Sequence, residues 1–290
     1  MLRKRLKRFF PQKRFNLSLH HTIFMDFTIK KYTELLEAIV AAGYSCQTMA
    51  EFISNPKSRV FVLRHDVDER PQNAMHIAII ESALGIKATY YFRIVRISNE
   101  PSIIKKIVDC GHEIGYHYED YASCHGDIQK AIVNFKKNLD YFRQYYPVNT
   151  ICMHGSSMSN YDNRDLWKYY AMADFGIIGE PYLSIDYSKV LYITDTARSW
   201  DGSKYSIRDA VSSDPNRLNF HSTSDIIDAL KKNNMPSQVI LQSHTLWTDS
   251  VIEWLWLESR EKIRNDLKMY IIKSPLLKNF AYKLINLYSK

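Results

Sequence analysis

Two carboxylates two residues apart, Asp66 and Asp68 in Arg64-His65-Asp66-Val67-Asp68, open the chemical reading of this sequence. On extended backbone both side chains turn to one face while Val67 turns to the other. Like charges so close repel unless a cation or a shared proton relieves them, so a metal ion is their natural partner. One carboxylate then binds the ion and the other stays free as a base. An acidic turn capping the helix that Pro71 opens is the plainer explanation, but it leaves the later His117, Glu119, His154, Asp195 and His244 without a reason. Taken singly, each of these is equally well a helix cap or a hydrogen-bonded structural residue. Their recurrence is what argues for a site.

The elements that must position them alternate. Ile29, Tyr32, Leu35, Leu36, Ile39 and Val40 form one helical face closed by Gly43. A strand is expected at 60–63, a helix from Pro71 to the stop at Gly85, a strand at 86–95, and a helix at 101–108 ended by Gly111. Strands follow at 112–116, 148–153, 190–194 and 239–242, and helices at 128–146, 224–232 and 250–270. Strand and helix in alternation predict an α/β fold with a mostly parallel sheet, either a barrel or doubly wound. In such folds functional side chains gather at the C-terminal ends of the strands. Asp66 and Asp68, His117 and Glu119, His154, Asp195 and His244 each follow one of the expected strands.

Apolar residues make up 46% and aromatics 13% of the 290 residues, ample for a continuous core and contrary to disorder. One domain over 28–270 is expected, flanked by a basic N-terminal segment, 1–27, and a basic C-terminal helix, 271–290. Much of the net charge of +8 lies in those ends. Arg3, Lys4, Arg5, Lys7, Arg8, Lys13 and Arg14 interleave with Leu2, Leu6, Phe9, Phe10 and Phe15, a pattern equally compatible with an anionic membrane surface and with a solvated tail. Leu277, Phe280, Leu284 and Leu287 near helical spacing point to docking, most simply on the chain's own domain. No segment approaches the eighteen or so apolar residues of a membrane span, and Pro11 to Arg14 interrupts any signal-peptide core. Cys46, Cys110, Cys124 and Cys152 have neither zinc-site spacing nor the density of a disulfide framework, so a cytoplasmic location is expected, with peripheral contact to the inner membrane face as the alternative. No nucleic-acid module is present, and no nucleic-acid partner is expected.

Leu63-Arg64-His65-Asp66-Val67-Asp68 followed by Gly111-His112-Glu113-Ile114-Gly115-Tyr116-His117 resembles the polysaccharide deacetylase (NodB-homology, carbohydrate esterase family 4-like) family. The resemblance spans roughly residues 28–250 and is nearest to a WbmS-like branch associated with O-antigen and surface-glycan biosynthesis, extending to Ile151-Cys152-Met153-His154-Gly155-Ser156 and Leu191-Tyr192-Ile193-Thr194-Asp195. It implies a distorted (β/α)7-type barrel and a metal-dependent N-deacylase acting on an N-acylated sugar or glycan precursor. By position, Asp66 becomes the base, Asp68 and His117 metal ligands, and His244, in Leu241-Gln242-Ser243-His244, the general acid, with Asp195 orienting it. One divalent ion is implied, zinc by ligand type, with nickel, cobalt and iron also compatible.

The sequence departs from that pattern where the family places a second histidine, four residues after the first; here the position is Tyr121. Glu119 is the expected replacement, because a continuing strand directs 117 and 119 to one side. Asp120, His125 and His154 are the other candidates, and His154 is also expected to hold substrate. Trp247 is a candidate for stacking on a sugar ring, as is Trp200, with a place in the core the plainer expectation for both. His112 belongs to the motif but begins its strand and is read as structural. Two rival functions remain: a metal-dependent phosphoester hydrolase, which a two-metal stoichiometry would identify, and a non-catalytic glycan-binding or assembly protein on the same barrel.

Overall fold

A computed structural model of the protein describes residues 25–155, 159–196, 198–200, 211 and 218–273. The expectations for the basic N-terminal segment, including its membrane contact, and for the docking residues after 273 lie outside the described residues. Among the described residues seven strands form one sheet: β1 Ser45–Gln47, β2 Val60–Val67, β3 Thr89–Phe92, β4 Glu113–Tyr118, β5 Ile151–Met153, β6 Leu191–Thr194 and β7 Gln238–His244. Every pairing is parallel, in the order β5-β4-β3-β2-β7-β6, with β1 beside the first half of β2 and β3 beside the second. Among the described residues nine α-helices connect and flank them: α1 Ile29–Ala41, α2 Met49–Ser54, α3 Pro71–Ala83, α4 Pro101–Asp109, α5 Asp120–Ser123, α6 Ile128–Phe142, α7 Pro181–Ser184, α8 Thr223–Lys231 and α9 Val251–Lys273.

The edge strands β5 and β6 do not pair, so the barrel is distorted and incomplete. The segment around α7 bridges their gap: Gly179 pairs with Thr150, Glu180 accepts from the Met153 amide at 3.0 Å, and the Tyr182 hydroxyl lies 3.3 Å from that of Tyr192 on β6. Among the described residues no helix is long and apolar enough to cross a membrane.

Alternation along the strands sorts the side chains into two layers. Phe61, Leu63 and Val67 of β2, Tyr90 and Phe92 of β3, Ile114, Tyr116 and Tyr118 of β4, and Val239 and Leu241 of β7 join one large core with Leu35, Leu36 and Ile39 of α1 and Ile104 and Ile107 of α4. The opposite parity lines the inside. Near the strands' N-terminal ends that inside is apolar, with Val60, Val62, Ile240 and Tyr192 packed on Met49 and Phe52 of α2. Towards the C-terminal ends it turns polar, with Arg64, Asp66, His117, Gln242 and His244 on the same parity as that plug.

Local sequence explains where the elements stop. Thr28 caps α1 by accepting from the Lys31 amide, and proline opens α3 and α4, where a missing N–H costs nothing. Gly111, at φ 87°, ends α4 in a conformation that side chains rarely adopt and turns the chain into β4. Inside β4, Gly115 makes room for the Tyr91 ring: a Cβ there would sit 2.2 Å from it.

Several expected boundaries are corrected. β2 runs to Val67, not 63, because its residues are buried on both faces and keep the extended pairing. β3 is limited to 89–92 and β5 to 151–153, and the short β1 and α2 were not expected.

Candidate functional site

β2 brings Arg64 and Asp66 to the inner face two residues apart, where the guanidinium grips the carboxylate with Nε–Oδ1 at 2.9 Å and Nη2–Oδ2 at 2.6 Å. Gln242 of β7 adds a bond to Oδ2 at 3.3 Å. Burial disfavours a charged Asp66, but Arg64 and His117 outweigh it and hold the carboxyl well below the usual carboxylate range. In the parallel register Asp66 lies directly across from His244. The base and acid expected from sequence are therefore neighbours by strand pairing.

Asp68 sits just beyond the strand on the same side, as the two-residue spacing requires. Its Oδ1 is buried without a hydrogen-bond partner, yet His117 Nε2 lies 3.5 Å and His154 Nε2 3.7 Å from it. Both imidazoles are tied at the other nitrogen: His117 Nδ1 donates to the Cys152 carbonyl at 2.9 Å, and His154 Nδ1 to Glu119 Oε2 at 3.0 Å. Those bonds turn each Nε2 towards Asp68. Burial opposes ionisation of Asp68, but His154 and His117 draw its pKa down; burial likewise draws His117 down, towards the neutral, ligand form. For His154 burial is outweighed by Asp68 and Glu119, which raise it.

Glu119 does not stand where the sequence reading put it. β4 ends at Tyr118, so residues 117 and 119 do not continue one extended face, and both Glu119 oxygens are occupied by Arg93, at 2.7–3.1 Å, and by His154. Burial opposes its charge, but His154 and Arg93 bring its pKa down to about 2. It stands behind His154, which takes the place beside Asp68 instead. Asp120 faces Tyr116, Asn134 and Asn138, with burial pushing its pKa up to about 7, and Tyr121 packs edge-on against Tyr161. His125 is exposed.

His244 closes the site at the end of β7. Its Nδ1 donates to Asp195 Oδ1 at 2.8 Å, and its Nε2 lies 3.8 Å from Asp68 Oδ2. Burial works against its charge, but Asp195 and the two site carboxylates overcome it and push the pKa up to about 10. Asp195 follows β6, as expected; it is buried and accepts a further bond from Ser243 at 3.0 Å. Burial raises its pKa, with His244 opposing.

Trp247 is corrected as a sugar platform. It is 1% exposed, packs against Phe27, Tyr32 and Trp200, and donates to Ser243 at 2.7 Å, so no ring face is open to a ligand. Trp200 is buried with it. His112 is structural as expected, accepting from the Ala88 amide and donating to the Ala78 carbonyl.

Two groups here could hold a cation. Asp66, His117 and Cys152 place one ligand atom each within 4.8 Å of one another, but Asp66 is already matched by a guanidinium that would repel the ion. Asp68, His117 and His154 offer an unpartnered carboxylate oxygen and two imidazole lone pairs at 3.5–3.7 Å from it. Ligands about 2.0–2.2 Å from an ion of the zinc type lie roughly 3.3–3.6 Å apart, and the two separations from Asp68 come near that range. A small pocket of about 40 Å³ opens beside Asp66, Asp68 and His244 and is walled by α9 through Glu261 and Arg264.

Arg64, Arg93, Gln242 and Arg198 were given no role from sequence. Arg64 shares the parity of Asp66, a signal that was present. Arg93 follows the true end of β3 and was hidden by a strand drawn to 95.

No family model matches the chain, and no curated protein matches it. Solved structures that align with the chain include a carbohydrate esterase family 4 pseudoenzyme from Bacillus anthracis, at 14% identity and TM-score 0.40, covering 72% of this chain and 63% of that one. The chain thus spans less than two thirds of that protein's length. A family 4 carbohydrate esterase from Streptomyces lividans in complex with acetate aligns at 14% identity and TM-score 0.38, over 72% and 90% of the two chains. A Streptococcus mutans CE4 esterase aligns at 16% and 0.39, over 81% and 90%. Likeness of this degree carries no weight on activity, which must be argued from the site.

Proposed function

We propose that this protein is a metal-dependent N-deacylase, a deacetylase acting on an N-acylated amino sugar of a surface-polysaccharide or O-antigen precursor. The observation that carries the reading is the convergence of three Nε2 atoms, from His117, His154 and His244, on the two carboxyl oxygens of Asp68 beside an ionised Asp66. In this reading Asp68, His117 and His154 hold one divalent ion, zinc by ligand type, and Glu119 orients His154 from behind. Bound there, the ion would polarise the acyl carbonyl and acidify a water.

The rest is work for the chain's own residues. Asp66, kept ionised by Arg64, takes the proton of the attacking water. Its low pKa makes it a weak base, which suffices only for an acidified water. His244, kept protonated by Asp195, donates from Nε2 to the departing amine. The raised and lowered pKa values of acid and base match their assigned states at neutral pH.

Acetate release from an N-acetylated amino-sugar precursor, abolished by a chelator and restored by metal, tests the reading. Asp66→Asn should lose that activity. Its melting curve is taken alongside, because Arg64 loses its buried partner. Undiminished turnover by folded Asp66→Asn overturns the mechanism.

A further inference from the structure

Arg198 lies three residues beyond Asp195 and lines the same pocket as Asp66, Asp68 and His244. Its side chain is 1% exposed, and its backbone holds φ 57°, a conformation uncommon outside glycine. Nη1 donates to the Leu246 carbonyl, and Nε reaches Glu258, a half-exposed carboxylate, at 3.3 Å. Nη2 is buried and has no partner. A guanidinium stays charged at any physiological pH, and a buried donor left unsatisfied is costly unless a partner arrives. Burial outweighs Glu258 and draws the Arg198 pKa below its ordinary value.

Several of the other charges around the pocket are paired with one another, Asp68 excepted. Arg260 grips both oxygens of Glu69, and Glu261 pairs with Arg260 and Arg264. Arg64 also leaves one nitrogen without a partner, but the buried Asp66 beside it balances its charge. Arg198 bonds only the half-exposed Glu258 among the described carboxylates; the buried Asp195 and Glu261 attract it without a hydrogen bond to it. Arg264, with its side chain 62% exposed, stands on the same pocket wall at the solvent side.

We infer that Arg198, with Arg264 at the mouth, binds an acidic group of the substrate, so that the sugar presented to Asp66 and His244 carries a carboxylate or a phosphate. The inference rests on the deacylase reading for the identity of the substrate as an N-acyl sugar, though not for the anion site itself. Guanidinium and oxyanion suit each other by charge and by paired N–H geometry. Such an anchor would fix the acylamino group over Asp68 by holding a remote part of the sugar.

Two measurements on the full-length, metal-loaded protein test it. Calorimetric titration with glucuronate and, separately, with inorganic phosphate should give binding by at least one anion. That binding should weaken tenfold or more in Arg198→Gln and severalfold in Arg264→Gln, whose exposed position keeps it foldable should the first variant melt early. Which anion binds distinguishes carboxylate from phosphate. Acetate release is then compared for N-acetylglucosamine, its 6-carboxylate and its 1-phosphate. An acidic sugar should be preferred about tenfold in kcat/KM, and the preference should collapse in either arginine variant. Anion binding lost in the variants, with no acetate released from any sugar, would sustain the anion site and overturn the deacylase reading. No anion binding by the native protein, or binding unchanged in both variants, overturns the inference.

Discussion

The two faces of β2 put histidines and carboxylates to opposite uses. On the outer face Glu81 of α3 is fully buried among His65, at 2.7 Å, Tyr90, at 2.6 Å, and Tyr32, with His112 at 3.7 Å. Both ring nitrogens of His65 and of His112 have partners within the protein. On the inner face His117, His154 and His244 each spend one nitrogen on an anchor and leave the other facing Asp68, whose Oδ1 has no bond. A saturated polar cluster holds the fold; a cluster anchored from behind and open in front is built to receive something.

Substitutions of equal size on the two faces should therefore do opposite things. Asp68→Asn removes a mostly buried carboxylate that makes no hydrogen bond through Oδ1, so the metal-free protein should melt within a few degrees of the native one. Metal content and kcat/KM for acetate release should fall together, the latter on the order of 10³-fold, the several kcal/mol a bound ion contributes to such a reaction. Elemental analysis and single-substrate kinetics check both. Retained metal at full stoichiometry would end the assignment of Asp68 as a ligand.

Glu81→Gln makes the reverse case. Burial opposes the Glu81 charge and His65 draws its pKa down, so the cluster holds a carboxylate and not an acid. Breaking one side of a buried pair costs about 3–5 kcal/mol. Denaturant unfolding should register that loss, while activity per folded molecule at low temperature stays within a few-fold. A large loss of turnover in folded Glu81→Gln would mean that the two faces are coupled through His65.

How much of this was legible in the sequence follows the same division. Parity was: Asp66 and Asp68 share a face, Val67 packs in the outer core, and the ligand-type residues do end their strands. Neighbourhood across strands was not, because register is a tertiary fact. His154 lies two residues beyond Cys152, which pairs with His117, and nothing in one chain announces that pairing. Spacing within a single strand therefore drew attention to Glu119, one residue past the end of β4. The short β1 and α2 carry too few residues for periodicity to register. Trp247 follows a site residue closely in sequence, yet the chain turns it back to the outer core.

The distinction between Glu119 and His154 gives an intermediate effect. His154→Ala should abolish metal retention, whereas Glu119→Gln keeps His154 and frees its ring, lowering metal affinity about 10- to 100-fold, as loss of a supporting carboxylate does. Competition with a chromogenic chelator ranks the two. Equal losses would return Glu119 to the ligand set.

The acid end of the site answers to pH. Because the folded pKa of His244 is raised from 6.5 to about 10, its charge stabilises the metal-free fold fully below about pH 6.5, and that contribution is lost as pH rises through about 10. The melting temperature of the native protein relative to His244→Gln should therefore be highest near pH 6 and converge by pH 10. Asp195→Asn should move the convergence downwards, since the carboxylate of Asp195 is the main attraction that overcomes burial. A gap that stays constant between pH 6 and 10 would show that His244 does not carry its proton there.

The smallest effect tests the thread that joins the faces. Trp247 sits in the outer core, but its indole N–H bonds the Ser243 hydroxyl, which bonds Asp195, which holds His244. Trp247→Phe keeps an aromatic ring in the core and deletes only that donor, a loss of about 0.5–1.5 kcal/mol in stability, or a few degrees in melting temperature. Were the indole a sugar platform, KM would rise with kcat untouched. With the ring buried and its donor pointed at the Asp195 chain, KM should hold and kcat should shift by no more than about threefold, because Ser243 can still donate to Asp195 without the tryptophan behind it.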